Sequence, residues 1–338
     1  MSPAGLGGGG AVFVTHETTM GTYIDPTAGA ASGVWVPIIS EELNYTETKY
    51  YSPQIRQQTI VSDVQQSYYH VEGNITMEVD VNYMPYFLYA SRHLITKTGA
   101  AAPFVYGFGP GSQGSATGGT GLNSRTMSIT VIRNGIGFGY AGCVVNNWEF
   151  TVDNGVLRCV MGILGISETT PTALGTPTWL APSLFGAAAH SIYLDASGAA
   201  PPFAGAFTTN FNGFTFRSDF NGSAQNRIQP QRSASYIAYG ETNSTYETEL
   251  DFVDKSDYDN MKNNVTRAIK FESLKGGATF ATSTEAFRIS IRRSSFETYT
   301  VGLAGMGDLI MARTTGRNIG IVGADAYTIE CKSPVAIT

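Results

Sequence analysis

Val145-Asn-Asn-Trp148-Glu-Phe150-Thr-Val-Asp153-Asn154-Gly155-Val156-Leu-Arg158-Cys159-Val-Met161-Gly-Ile163 is the stretch whose reading decides the fold. Asn-Gly accepts the two positive φ angles of a two-residue hairpin turn with little strain, so the chain reverses at Asn154-Gly155. Asp153 then faces Val156, and counting outward places Phe150 opposite Cys159. Side chains alternate between faces along a strand, so Trp148, Phe150, Val152, Leu157, Cys159 and Met161 share an apolar face. Thr151 meets Arg158 on the other face, with Glu149 diagonal to Arg158. Cys143 lies well away from Cys159 in this register, which argues against a cross-strand disulfide between them.

The same period recurs from Asn74 to Val81, where Ile75, Met77, Val79 and Val81 point one way and Asn74, Thr76, Glu78 and Asp80 the other. Asn82 to Ser91, with a proline tolerated in the first turn, reads as a short helix N-capped by Asn82 and packed by its aromatic residues on the open end of a sandwich or barrel. Ala100 to Asn123 is Gly-rich and of low complexity, as a mobile loop or insertion would be. Thr169 to Phe207, with Pro171, Pro177, Pro182, Pro201 and Pro202, reads as a linker between halves. Short strand runs separated by Gly and Asn turns dominate and helical periodicity is rare, so the fold class is mainly β.

The second half repeats the logic of the first. In Thr245 to Phe252, Tyr246, Thr248, Leu250 and Phe252 alternate with Glu247, Glu249 and Asp251. A short helix follows with Ser256 as N-cap, then a strand-like segment from Ile269 to Leu274, and Phe287 to Arg292 matches Met127 to Ile132. Each half is preceded by a long polar arm, Asn44 to Val71 and Arg217 to Tyr239. The expected layout is an N-terminal arm (1–34), a first β domain (35–168), a linker (169–206) and a second β domain (207–338).

Composition narrows the function classes. Charged residues make up only 14% of the 338, against the roughly 25% usual in soluble domains, at a net charge of −6. A surface of Ser, Thr, Asn, Gln, Gly and Tyr can be buried against other subunits without stranding charges, which favours assembly. No run of about 18 apolar residues occurs and the Gly-rich start has no basic-then-apolar pattern, so the expectation is a soluble chain made in a cytoplasm, with no membrane span or signal peptide. Cys143, Cys159 and Cys331 lack zinc-site spacing and read as buried thiols. His16, His70, His93 and His190 lie on separate segments without metal-ligand spacing. Gly109 to Gly114 fits GxGxxG but sits in a Gly/Ser tract with no βαβ unit, and no GxSxG elbow occurs. The period-2 acids are what a polar sheet face produces, so no enzyme, metal or cofactor is indicated. Arg288, Arg292, Arg293, Arg313 and Arg317 form a modest basic cluster suited to an acidic surface of a neighbouring subunit.

Trp35-Val-Pro-Ile-Ile-Ser-Glu-Glu-Leu43, a long arm, then Val71 to Val79, together with Tyr140 to Gly155, resemble the opening strand, extended loop, sheet strand and later hairpin of the tail tube proteins of long, non-contractile-tailed bacteriophages. The resemblance implies duplicated β-sandwich or half-barrel domains, each with a short flanking helix and a long arm, assembled into rings stacked along the virion's tail. Three duplicated chains would close a pseudo-hexameric ring; six-chain rings are the alternative. It also implies contacts with tape measure, tail-tip and terminator proteins and passage of DNA without sequence-specific binding. Another β-rich virion component, such as a terminator, tail-tip ring or adhesin, is the second reading. Glu78, Asp80, Glu247, Glu249 and Asp251 are expected to face the lumen, where a negative wall repels phosphates. The arm residues Tyr45, Tyr50, Tyr51, Gln54, Arg56, Gln57, Gln58, Tyr68 and Tyr69 are expected to be mobile in the monomer and to order on a neighbouring subunit.

Overall fold

The computed structural model describes residues 9–27, 33–52, 63–91, 94–109, 126–196, 206–208, 211–228, 230–252, 255–302, 310–320 and 326–336. The first half runs β1 (Ala11–His16), β2 (Val34–Val36), β3 (Ser40–Glu41), β4 (Asn44–Tyr51), β5 (Val64–Glu78), α1 (Met84–Tyr89), β6 (Leu94–Thr98), β7 (Phe104–Gly109), β8 (Met127–Arg133), β9 (Ile136–Asp153), β10 (Val156–Gly165) and β11 (Ser167–Thr169). The second runs β12 (His190–Ala196), β13 (Ala206–Thr208), β14 (Phe211–Asp219), β15 (Ser223–Gln225), β16 (Tyr236–Ala238), β17 (Asn243–Asp251), α2 (Ser256–Lys262), β18 (Arg267–Lys275), β19 (Glu285–Gly302), β20 (Met311–Asn318) and β21 (Tyr327–Ser333).

The hairpin forms in the register read from its turn. Asp153 pairs with Val156 and Phe150 with Cys159, and Asn154 and Gly155 both have positive φ. Asn134-Gly135 makes a second turn of the same kind between β8 and β9. Strand pairing then continues without a break through both halves, in the order β5-β10-β9-β14-β17-β20-β19, all antiparallel. Beyond β5 lie β3 and β4. The halves therefore share one sheet, joined where β9 meets β14.

Two smaller sheets cover its apolar face: β2-β1-β8-β9-β11, and β13-β12-β18-β19-β21-β7-β6. The 18-residue strands β9 and β19 each begin in a covering sheet and end in the central one. Bulges let them turn. In β9, Asn146 is the extra residue opposite Gly162 and Ile163; in β19, Glu297 is the extra residue opposite Thr315 and Gly316. A second bulge lies nearer each strand's start, where β9 advances from Tyr140 to Cys143 while β8 steps from Ile129 to Met127, and β19 from Ile291 to Ser294 while β18 steps from Ile269 to Arg267. An unpaired extra residue bends a strand and tightens its twist, which re-aims it from one layer to the next.

These paired irregularities fix how the halves correspond: β1 with β12, β5 with β17, α1 with α2, β8 with β18, β9 with β19, β10 with β20 and β11 with β21. The correspondence corrects the sequence reading in two places. Met127 to Ile132 matches β18, and Phe287 to Arg292 matches the start of β9, because the first half carries an additional hairpin, β6-β7, that offsets a count of strands. The stretch 169–206 includes β12, the opening strand of the second unit, paired along its length with β18.

One core spans both halves. Phe150 meets Phe287 with ring centroids 5.1 Å apart, Phe214 stacks on Phe271 at 4.5 Å, and Phe216 meets Tyr327 at 4.9 Å. Met84, Pro85, Tyr86, Phe87 and Leu88 of α1 are buried in it. The helix starts differ from expectation. Asn82 does not cap α1; its side chain bonds the Ala181 carbonyl and Ser333, while the Asp80 carbonyl accepts from the Tyr83 and Met84 N–H groups. Ser256 is the first residue of α2, and neither helix has a side-chain cap. Within Ala100–Asn123, Phe104 to Gly109 is strand β7; 110–123, with most of the GxGxxG match, lies outside the described residues.

Candidate assembly surface

The face of the central sheet turned away from the core is mostly polar, with Val160 and Met311 as apolar exceptions. Directly opposed residues form a row that crosses seven strands: Glu78, Arg158, Thr151, Thr215, Glu247, Thr315, Thr298. The next row runs Thr76, Val160, Glu149, Arg217, Thr245, Arg317. Glu249 and Asp251 extend the same face of β17, opposite Arg313 and Met311. Alternation forces this arrangement, because Tyr246, Thr248 and Leu250 of β17 are buried in the core and the residues between them must face outward.

Four of the five acids expected on one face are thus on one face, contributed by both halves. Asp80 is not. β5 ends at Glu78, and Asp80 turns inward, 1% exposed, to accept hydrogen bonds from the Ser183 N–H at 2.7 Å and the Asn82 N–H at 2.8 Å. Its burial pushes its pKa up, partly offset by those two bonds. The period-2 reading ran two residues too far, into the turn that starts α1. Nor is the face uniformly negative. Arg313 pairs with Glu249 at 2.9 Å, Arg217 with Glu149 at 3.0 Å, and Arg158 with Asp153 at 2.5 Å instead of reaching Glu149. The Glu149 hydrogen bond holds the Arg217 guanidinium above its ordinary pKa. Glu78, Glu247 and Asp251 remain without a salt bridge among the described residues, so the balance of the face is acidic, with its cations already engaged.

The arms are built differently from a free polar segment. Asn44–Tyr51 and Val64–Glu72 pair as a hairpin that prolongs the sheet, from Asn44 opposite Glu72 to Tyr51 opposite Val64. Tyr45 stacks on Tyr69 at 4.7 Å, and Tyr50 and Tyr51 are more than half exposed. Tyr68 and Tyr69 lie on β5, whereas Gln54, Arg56, Gln57 and Gln58 fall outside the described residues. The second arm clasps the first: Tyr69 exchanges backbone bonds with Arg232 and Ala234, and Arg232 reaches Glu47, Gln66 and the Ser67 carbonyl. Arg232 was not legible as a contact residue, since nothing local in the sequence pairs it with a strand so far away.

The cysteines and two of the histidines are held inside the fold, and His93 lies outside the described residues. Cys143, Cys159 and Cys331 are buried free thiols whose pKa values burial pushes up. His16 stacks on Tyr89 and bonds the Tyr86 carbonyl; His190 contacts Ser273 and the Gly155 carbonyl. The C-terminal arginines do not cluster, for Arg288 is buried between Glu272 and Glu330 while Arg313 and Arg317 lie on the polar face. Among the described residues no group of His, Cys, Asp and Glu is placed to hold a metal ion, and no helix is long and apolar enough to cross a membrane.

No curated protein matches the chain at a significant level. A family model described as phage tail tube protein matches residues 7–328, both halves of the shared sheet and nearly the entire sequence, and the chain belongs to that family, whose members are structural components of the virion.

Proposed function

We propose that this chain polymerises into stacked rings that form the tube of a long, non-contractile phage tail, with the polar face of the central sheet lining the channel for DNA ejection. The observation that carries this reading is the uninterrupted sheet through both halves, with Glu78, Glu247, Glu249 and Asp251 on one polar face. A wall whose arginines are already paired and whose surplus charge is negative offers DNA phosphates little counter-charge, and non-specific DNA affinity comes from free cations. The matched topology of the halves supports a ring of three chains that imitates six units, with six chains as the alternative. Tape measure, tail-tip and terminator proteins would meet the ends of such a tube.

Negative-stain microscopy of the purified chain at rising concentration tests the assembly: hollow tubes are expected, and discrete rings that never stack would favour a terminator or tip role. A Glu247→Cys variant tests the channel. In assembled tubes the thiol should react with a small maleimide but be closed to a bulky protein-sized label that modifies the free chain. Equal labelling of tubes and free chains by the bulky reagent would place this face outside.

A further inference from the structure

The internal junction between the halves has a counterpart that the single chain leaves open. β14 adds to the end of β9 with Phe216 opposite Phe150 and Arg217 opposite Glu149, and Phe150 is covered by Phe287. The bulges place Val301 where Phe150 lies, Thr300 at Glu149, and Ile136 at Phe287. On the other side of the junction, pairing to β5 and β17 places Leu43 at Phe216 and Asn44 at Arg217. Burial does not follow the correspondence. Phe150 and Phe287 are 0% exposed, whereas Val301 is 40% and Ile136 is 62% exposed. Among the described residues, Ser295 to Gly302 pair on one side only, with β20, and Ser40 to Thr46 only with β5.

We infer that two copies of this chain join head to tail through these two edges: the end of β19 of one copy adds to the Glu42–Thr46 edge of the next, Val301 opposite Leu43 and Thr300 opposite Asn44, with Ile136 of the second copy covering Val301. The inference rests on the self-assembly proposed above and gives it a residue register. The contact is heterologous, so repeating it either closes a ring or extends a filament. Open apolar hollows lie on both sides of it, one lined by Ile38, Ile39, Val131 and Ile132 beside the receiving edge, the other by Phe252, Tyr258, Tyr299 and Val301 beside the donating edge. In the free chain Arg133 and Tyr140 donate to the Leu43 carbonyl and the Glu41 carboxylate accepts from its N–H, so the receiving edge is capped until a strand replaces these partners.

Disulfide trapping tests the register. Directly opposed cross-strand residues bring Cβ atoms to about 4.5–5.5 Å and diagonal ones to about 7–8 Å, and a disulfide tolerates only the former. Within one chain, positions 44 and 300 lie near opposite edges of a wide sheet, on the order of 30 Å apart at about 4.8 Å per strand, so any bond must join two copies. Oxidised assemblies of an Asn44→Cys/Thr300→Cys variant should give a ladder of linked chains ending at the copy number of the ring, while Asn44→Cys/Thr298→Cys gives at least tenfold less. Intact assemblies in which the off-register pair links as well, or neither links, would overturn the register and leave the tube standing. Rings that link but never stack would support the register and sink the tube. A wild-type chain that stays monomeric at every concentration would overturn both. A Val301→Asp variant separates folding from docking: unchanged melting of the dilute chain with assembly lost is expected, and normal assembly would count against the contact.

Discussion

Phe150→Ala gives the most informative single perturbation, because Phe150 is the side chain at which the halves meet. It is fully buried, with its ring 5.1 Å from that of Phe287 and 5.8 Å from that of Trp148. Truncating a buried Phe removes transfer free energy and leaves a cavity, for a loss of about 3–5 kcal/mol. At roughly 2 °C per kcal/mol for a chain at the large end of the surveyed range, the melting temperature should fall by about 6–10 °C. Val301→Ala, the same truncation at the corresponding exposed position, should cost the dilute chain under about 0.5 kcal/mol. Scanning calorimetry below the assembly threshold measures both. One core through both halves requires a single heat-absorption peak that Phe150→Ala shifts as a unit. Two peaks of which only one moves would refute the shared core, and equal losses from the two substitutions would refute the difference in burial on which the docking argument depends.

Glu17 is buried and accepts hydrogen bonds from Thr126 Oγ1, Ser128 Oγ and the N–H groups of Gly21 and Gly142. Glu17→Ala strands four donors and should cost at least about 3 kcal/mol by denaturant midpoint; a loss below about 1 kcal/mol would mean that water reaches them. Burial holds the pKa values of His16 and His190 below the ordinary 6.5. The unfolded chain therefore binds protons first as pH falls, so stability from these groups is complete above about pH 6.5 and is lost as pH drops through the lower folded-state values. The stability of His190→Gln should fall less than that of wild type between pH 7.5 and 5, and parallel curves would contradict the assignment. Deleting Glu297 removes the unpaired bulge residue while Thr298 keeps its place opposite Thr315 and Val301 opposite Ala312, so the faces of the strand end stand and the bend that aims it is lost. Microscopy should then show assembly impaired, because the strand end no longer leaves the sheet at the angle the neighbouring edge needs; normal tubes would mean that the bend does not aim this edge.

Local rules carried much of the fold. Asn154-Gly155 sets a register that holds from Asp153 opposite Val156 to Asn147 opposite Gly162, where the bulge at Asn146 shifts it, and alternation assigned the faces of β5 and β17 down to single residues. Where the reading failed, the deciding partner lay far along the chain. Asp80 fits the strand period but turns inward because Ser183, in the Pro-rich stretch, offers its N–H. The arm looked uncommitted because Tyr and Gln carry no core pattern, yet β4 and β5 pair through their backbones and Arg232 locks them from the second half. Asn134-Gly135 carries the same turn signal as Asn154-Gly155 and marks the β8-β9 hairpin, whose counterpart is β18-β19, so Phe287 to Arg292 corresponds to the start of β9.

A sheet with two open edges is an invitation to indiscriminate pairing, and proteins commonly answer it with charge on the edge strands. This chain has few charges to spend, and the two junctions divide them unequally. Inside the chain, where β14 reaches β9 during folding, the outward pair is Arg217 with Glu149, an ion pair fixed once. At the outer edges the corresponding residues are Asn44 and Thr300, neutral side chains that meet without stripping water from a charge. The cation at the receiving edge, Arg133, is tied to Glu41 in a two-bonded fork and to the Leu43 carbonyl, so it shields the strand without presenting an unpaired charge to the arriving copy. An edge guarded in this way resists stray strands, which must displace a charge-assisted pair for a few backbone bonds. It yields only to a partner that also brings apolar cover for Ile136, and the end of β19, with Val301 and Tyr299, supplies that cover.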